Sequence, residues 1–453
     1  MMKFTQTDVR SKLTSEGFPF SGFLNPIVAP LIAKFHPEVR SRIYTPEVVT
    51  IMMVSSTLSG DNALTAAVIK NNSYRMGQNL DPASVNTAAY SDARLRLEPE
   101  VLIQATKQIA SKINTEIPQN SIWGNFIPFA IDGSTLTADD TPANQDAFPQ
   151  HGMQAEGVGF PIIRFVLMQS LRSGMIFDAA YNAFKGKGTG EMSLARELFP
   201  NLPENALLLG DRYFPSFFVM AYLIDRGIHG LFPAHAARDL DFRKGKQLSA
   251  RDHLVEWEKP LKPDWMTQDE YENYPKLITV REVDVSHEVK SKEKFIIVTT
   301  LLDNAIFTKS KLAKFYKTRW KIEMAIKDLK DTFNMAHLAA KSPDMIQKVF
   351  WSSLLAYNML RWHILNAAIL YGTSIEQVSV KTAATIMTQN GLLILTSEQK
   401  DIPELFSKLY FQFVQVPVGV RPGRSEPRAV KRRPKPFPRL HEKRSDWHAR
   451  RIP

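Results

Sequence analysis

The chain has 453 residues, 57 Lys+Arg against 46 Asp+Glu, a formal net charge of +11 and no cysteine. That length predicts two or three domains of ~100–200 residues each, and 44% hydrophobic with 10% aromatic content predicts packed cores rather than disorder. The missing cysteines exclude disulfides, cysteine-ligated zinc and thiol nucleophiles, and a reducing compartment is expected.

The opening MMKFTQTDVR lacks the apolar run of a signal peptide. Residues 1–118 read as helical. Pro46 to Ser59 and Pro99 to Asn114 space their apolar residues as helices do, each with Pro in the first turn. Gly60-Asp61 and Asn71-Asn72-Ser73 are expected to separate helices. The texture changes near Ile117-Pro118. Trp123 to Ile131 reads as a buried strand that delivers Asp132-Gly133 at its C-terminal end. Phe160 to Leu171 and Met175 to Phe184, broken by Arg172-Ser173-Gly174, predict a hairpin. A short helix from Gly190 to Leu198 follows. Ala206 to Leu209 runs into Gly210-Asp211, a second buried strand ending in Asp. Ser216 to Arg226 fits a helix and Ile228 to Pro233 a strand.

From about Ala236 to Asp303 the pattern is β-like and charged, as in Leu277 to Val285 and Lys294 to Leu302. A single long helix is expected from about Ser310 to Asn334, and more helices to about Phe413. This order suggests a mixed α/β core with an inserted β segment. Val349 to Tyr371 is apolar enough to suggest a membrane span, but Asn358, Arg361, His363 and Asn366 within it predict a buried helix instead. From Pro417 to Pro453 twelve Lys/Arg stand against three acids, a balance of +9, so the other 416 residues hold about +2. Seven prolines share that tail. Such a run builds no core and suits a polyanion, or serves as a solvated linker.

On the long helix, at about 100° per residue, Tyr316, Arg319, Glu323, Lys327 and Lys330 share an arc of about 80° beside an apolar stripe of Phe315, Ile322, Ile326, Leu329 and Phe333. Taken alone, that edge is a solvated face with i,i+4 pairs such as Glu323 with Lys327. The two strands that end in aspartates change its meaning. Three carboxylates converging from two strands and a helix repel one another unless divalent cations neutralise them, and hard oxygen ligands select Mg²⁺ or Mn²⁺.

Asp132 in AIDGSTL, Asp211 in LLLGDRYF and Glu323 in YKTRWKIEMAIKDLK resemble the three carboxylates of the DDE transposases. Tyr316, Arg319, Glu323 and Lys330 match the Y-x2-R-x3-E-x6-K signature of the "insertion sequence four" family of bacterial transposases. DGSTLTADDTPAN, followed by Asn144 and Phe148, resembles that family's first-Asp block. Asp252 to Trp265 and Leu277 to Val283 resemble its β-rich insertion.

The resemblance implies an α/β fold: an RNase H-like core, with a mixed sheet flanked by helices, over residues 119–341. A β-rich subdomain is inserted at 236–303. An all-helical DNA-binding domain occupies 1–118, a helical region 342–416 and the basic tail 417–453. It also implies two Mg²⁺ or Mn²⁺ ions held by Asp132, Asp211 and Glu323, which act as metal ligands. Water then frees a 3′-hydroxyl at the element's end, and that hydroxyl attacks target DNA, in similar enzymes after a hairpin step. Arg319 and Lys330 would clamp phosphates, and Tyr316 would donate its hydroxyl to one. DNA contact is also expected of Lys327 and Arg212, and of Lys431, Arg432 and Arg433 in the tail.

The expected partners are double-stranded element ends and target, gripped by a homodimer in the bacterial cytoplasm at the nucleoid, with no membrane. Two other readings stand beside this one: a nuclease that cuts without transposing, and a non-catalytic DNA-binding relative. Trp257, Trp265 and Trp320 are candidates to hold a flipped base or to pack. Gly186-Lys187-Gly188-Thr189-Gly190 reads as a loop. Lys185, Lys187, Arg238, Arg243, Lys244 and Lys246 line a DNA groove or a solvated face. The histidines have no zinc spacing, and His235 and His337 read as surface or packing residues.

Overall fold

The computed structural model describes residues 21–38, 43–117, 124–235, 238, 240–289, 293–398, 400–418 and 441–450. Trp123 and, in the basic tail, Lys431, Arg432 and Arg433 lie outside the described residues. The described residues begin with five helices: α1 (Ser21–Phe35), α2 (Pro46–Ser59), α3 (Leu64–Gly77), α4 (Ala88–Arg96) and α5 (Pro99–Glu116). Thr45 caps α2, its hydroxyl accepting from the Val48 amide, and Pro46 sits where the first turn has no use for an N–H. Asn71-Asn72-Ser73 does not break a helix but lies inside α3. The buried Asn72 side chain both donates to and accepts from the Ala83 backbone at 2.8 Å, so its polarity serves a tertiary contact rather than a turn.

A mixed sheet follows: β1 (Ile127–Ala138), β2 (Ile162–Ser170), β3 (Ile176–Ala183), β4 (Ala206–Leu209), β5 (His229–Pro233), β6 (Lys246–Ser249), β7 (Asp252–Glu258), β8 (Leu277–Asp284), β9 (Ile296–Thr299) and β10 (His337–Leu338). Its order is β3-β2-β1-β4-β5-β9-β8-β7-β6, with β10 beside the far end of β1. The hairpin β2–β3 forms as its two apolar runs predict. The charged β segment forms no separate sheet, because β9 pairs antiparallel with β5 and continues the ladder outward.

The remaining helices are α6 (Pro142–Ala147), α7 (Glu191–Leu198), α8 (Phe217–Asp225), α9 (Gln268–Asn273), α10 (Lys309–Lys317), α11 (Trp320–Asp331), α12 (Pro343–Tyr371), α13 (Val380–Gln389), α14 (Gly391–Thr396), α15 (Ile402–Gln415) and α16 (Arg444–Ala449). Strand alternation divides the apolar residues. Ala130, Leu207 and Leu209 join the core shared with the N-terminal helices and α12. Phe129, Ile131 and Leu208 join the core beneath α7 and α8.

The 29-residue α12 is buried along nearly its whole length, and no helix among the described residues is long and apolar enough to cross a membrane. Asn358, His363 and Arg361 have protein partners, whereas the buried Asn366 side-chain oxygen accepts no hydrogen bond among the described residues. Asn358 accepts from the Ile176 amide and donates to the Ile176 carbonyl, both at 2.8 Å, acting as a short extra strand on the edge of β3. His363 pairs with the Tyr410 hydroxyl at 2.8 Å, and an Arg361 nitrogen donates to the Ser173 carbonyl at 3.4 Å.

Within the outer strands, Arg281 is fully buried. It meets both oxygens of Asp252 at 2.8 Å and donates to the Phe307 carbonyl at 2.7 Å. Beside it, Glu282 accepts from the Trp257 indole at 3.0 Å and contacts His253 at 3.0 Å.

Candidate active site

β1 does not stop at Asp132. It runs on to Ala138, still paired with β2, so the first Asp lies in mid-strand. The strand-end expectation holds on the other side only, where β4 pairs Leu209 with Ala130 and then stops. Asp132 and Asp211 each follow that pair by two residues, and so sit at a fork where β1 has lost one neighbour. Asp211 is fixed by its own turn, its Oδ1 accepting from the Tyr213 amide at 2.8 Å. Asp132 accepts from the Gly133 amide at 2.9 Å.

The expected single helix over Ser310 to Asn334 is two helices, α10 and α11, separated at Thr318-Arg319. There the Thr318 hydroxyl donates to the Phe315 carbonyl at 2.6 Å, and the backbone takes i→i−3 bonds to Phe315 and Tyr316. Local side-chain bonding of this kind competes with the α-helical ladder. Arg319 therefore enters the site from the joint. Its guanidinium bonds Glu323, lies 3.8 Å from Asp132 and 5.7 Å from the Tyr316 ring, and its Nε is buried without a hydrogen-bond partner. About two turns beyond Glu323 on α11, Lys330 donates to Ser134, two residues beyond Asp132 on β1, at 2.5 Å. Tyr316 is half-buried, its ring 5.3 Å from Phe295.

These contacts bring Asp132, Asp211, Tyr316, Arg319, Glu323 and Lys330 to one place. Burial pushes Asp132 up to about 6; Asp211 and Glu323 add to this, while the Gly133 amide and Arg319 oppose it. Burial also raises the Tyr316 hydroxyl and lowers the Lys330 ammonium. Lys327 and Arg212 are exposed.

A further acid belongs to this group and has no signal in the sequence. Glu191, at the start of α7, is pushed up to about 7 by burial first and then by Asp132 and Asp211, against Arg164 and the Gly133 amide. Within GTGEMSL it reads as an ordinary first-turn acid, and only the sheet register shows what it faces.

The other candidates separate. Trp257 is buried, with Arg238 stacked 3.3 Å from its ring centre, so both are occupied in the outer strands. Trp265 is half-exposed under Arg196, and Trp320 is 59% exposed beside Arg319. Arg243 pairs with Asp241 at 2.8 Å, while Lys185, Lys187, Lys244 and Lys246 are exposed. His235 packs edge-on against Tyr213, and His337 contacts Asp139 at 3.1 Å.

Among the described residues no three His, Asp or Glu side chains close into a metal-gripping group. The donors around Asp132 are nonetheless carboxylate oxygens whose mutual repulsion a hard divalent cation relieves, so the chemistry of the set fits Mg²⁺ or Mn²⁺.

Residues 125–359, over half the chain, match the family described as the transposase DDE domain. The chain belongs to the DDE transposase family. Transposase InsG for insertion sequence element IS4, from Escherichia coli (strain K12), is 25% identical over 361 residues, 76% of this chain and 79% of that protein. Together with the Tyr316, Arg319, Glu323 and Lys330 spacing, this places the transposase with the IS4-type members. The cryo-EM structure of a piggyBac transposase synaptic complex with hairpin DNA aligns over 93% of this chain and 87% of that one, at a TM-score of 0.43 and 11% identity.

The raised acids make the stability of the metal-free transposase depend on pH. The ordinary values are 3.8 for Asp132 and 4.5 for Glu191, against about 6 and about 7 in the fold. Between those limits the folded state holds protons that the unfolded chain has released. Stability is therefore lost as pH rises through about 4 to 7. Asp132→Asn removes part of that slope. In EDTA, the melting temperature of the wild type relative to D132N is expected to fall by about 2–4 °C from pH 5 to pH 8. Parallel melting curves for the two proteins across this range contradict the expectation.

Proposed function

We propose that Asp132, Asp211 and Glu323 are the catalytic acids of a metal-dependent transposase. It cleaves DNA at the ends of an insertion sequence and joins the freed ends to target DNA by in-line phosphoryl transfer. The observation that carries the reading is the fork in the sheet. Two aspartates stand in register there, and Arg319 ties the glutamate of α11 to the first of them. Two Mg²⁺ or Mn²⁺ ions bound by these acids would activate the attacking oxygen and stabilise the leaving one.

The chain's own residues do the rest. Asp132 and Asp211 fix the cation load relative to the sheet, because both are bonded to backbone amides. Glu323 supplies the third carboxylate from a helix. Arg319 is placed to pass from Glu323 to a scissile phosphate, which offers the same two-oxygen partner to its fork. Lys330 adds a point charge, and its depressed affinity for the proton marks a half-desolvated ammonium that a phosphate would stabilise. Tyr316 offers a hydroxyl. Lys327 and Arg212, both exposed, suit the DNA backbone further out.

The sheet with its antiparallel β1–β3 and parallel β4 and β5 fits an RNase H-like core over 119–341, with 236–303 as its β-rich insertion. Residues 1–118 are assigned to end recognition and 342–416 to a helical buttress. The tail at 417–453, with Lys431, Arg432 and Arg433, is assigned to sequence-independent affinity for DNA. Pairing two ends calls for a homodimer on DNA, at the bacterial nucleoid.

Incubating the full chain with Mg²⁺ and DNA bearing the element's ends plus a target plasmid tests this reading. Nicked ends and a joined product are expected. Nicks without joining make the protein a nuclease, and binding without nicks under Mg²⁺ or Mn²⁺ makes it a non-catalytic DNA-binding relative.

A further inference from the structure

We propose that Glu191 is a fourth carboxylate of the catalytic centre, reaching Asp132 and Asp211 from the opposite face of the sheet and serving as a ligand for the divalent cations. The inference rests on the reading of Asp132, Asp211 and Glu323 as the catalytic acids.

Side chains alternate along β1, so Asp132 faces α11 whereas Gly133 faces the core beneath α7, with Phe129 and Ile131. Glu191 approaches on that second face. A Cβ built on Gly133 would stand 2.6 Å from the Glu191 Cδ and 2.8 Å from its Oε1. Gly133 has no left-handed backbone to explain it, since its φ is not positive. Its missing side chain is instead the space that admits the carboxylate. The Gly133 amide, already bonded to Asp132, favours the ionised form of Glu191 as well, so one peptide unit links the two acids.

The helix makes the placement deliberate. Leu194, Ala195 and Leu198 pack α7 onto the core with Phe129, Ile131 and Val166. Glu191 precedes Leu194 and Ala195 by three and four positions, so it occupies the next place on the same inward stripe. An acid at an inward position costs desolvation unless something compensates. No Lys or Arg forms an ion pair with Glu191 among the described residues; Arg164, whose guanidinium donates to the Thr189 carbonyl at 2.9 Å, acts on it only at longer range. The site's two cations are engaged elsewhere, Arg319 with Glu323 and Asp132 and Lys330 with the Ser134 hydroxyl. A divalent cation shared with Asp132 and Asp211 supplies the missing compensation.

The test is Mn²⁺ binding to the full chain without DNA, read by calorimetry and by the electron paramagnetic resonance of free Mn²⁺. Both are run in high salt, which screens a bystander charge far more than a ligand. E191Q is expected to bind Mn²⁺ about tenfold or more weakly, with its melting temperature in EDTA retained or raised and its DNA affinity in EDTA unchanged. E191D, which keeps the charge on a shorter arm, falls between. In cleavage assays the Mg²⁺ concentration for half-maximal rate rises for E191Q. Wild-type Mn²⁺ affinity in E191Q, alongside a loss in D132N, overturns the role of Glu191 and leaves the three-acid reading standing. Wild-type affinity in both variants overturns the three-acid reading too.

Discussion

Glu323→Gln and Asp132→Asn are each expected to lower strand cleavage by about a thousandfold or more while end-bound complexes still form. The amides preserve shape and hydrogen bonding but remove the charge that a metal requires. Their stabilities should diverge, which separates a ligand's loss from a fold's loss. Asp132 is buried among acids that repel it, so D132N relieves strain and melts at or above the wild-type temperature at neutral pH. Glu323 bonds Arg319, whose Nε already has no partner, so E323Q weakens the site's only ion-paired arginine and melts slightly lower. Cleavage is measured on labelled end DNA, binding by mobility shift and melting by calorimetry. Cleavage by E323Q at even a tenth of the wild-type rate would remove Glu323 from the catalytic set.

The second large effect lies far from the chemistry. Asp252→Ala strands Arg281, a fully buried guanidinium whose fork closes on Asp252 at 2.8 Å on both sides. Breaking one partner of a buried pair costs about 3–5 kcal/mol, whereas replacing both with apolar residues of similar volume is close to neutral. D252A should unfold at markedly lower urea than the wild type, and the D252L/R281M double variant should recover most of the loss. A D252A curve within about 1 kcal/mol of wild type means water reaches Arg281 and the pair is worth no more than a surface one.

Much of this molecule is legible in its sequence, and the limits fall at definite residues. Helical spacing marks α2 and α5, which bury one stripe, and unbroken apolar runs mark β4 and the β2–β3 hairpin, whose strands are buried on both faces. The same rules mistake Asn71-Asn72-Ser73 for a break and Ser310 to Asn334 for one helix. In the first place a side chain serves a distant loop, and in the second a threonine hydroxyl competes for the ladder. Asp132 and Asp211 stand out because each follows an apolar run, yet that β1 continues past its Asp depends on β2, which is thirty residues away. Glu191 is silent for the same reason. An acid in a first turn is ordinary, and only the glycine across the sheet makes it otherwise.

The pairing of β9 with β5 has a consequence for anyone who would trim this protein. The charged strands between β5 and α10 resemble a detachable module in sequence, but they shield the edge of the catalytic sheet. Excising them bares unsatisfied backbone groups along Leu231 to Pro233, a row that includes the apolar Phe232 and lies two strands from Asp132. An open edge of that kind recruits other strands, so a minimal version of the enzyme would tend to aggregate before its catalysis could be judged. In this architecture β6 to β9 keep the edge of the mixed sheet covered.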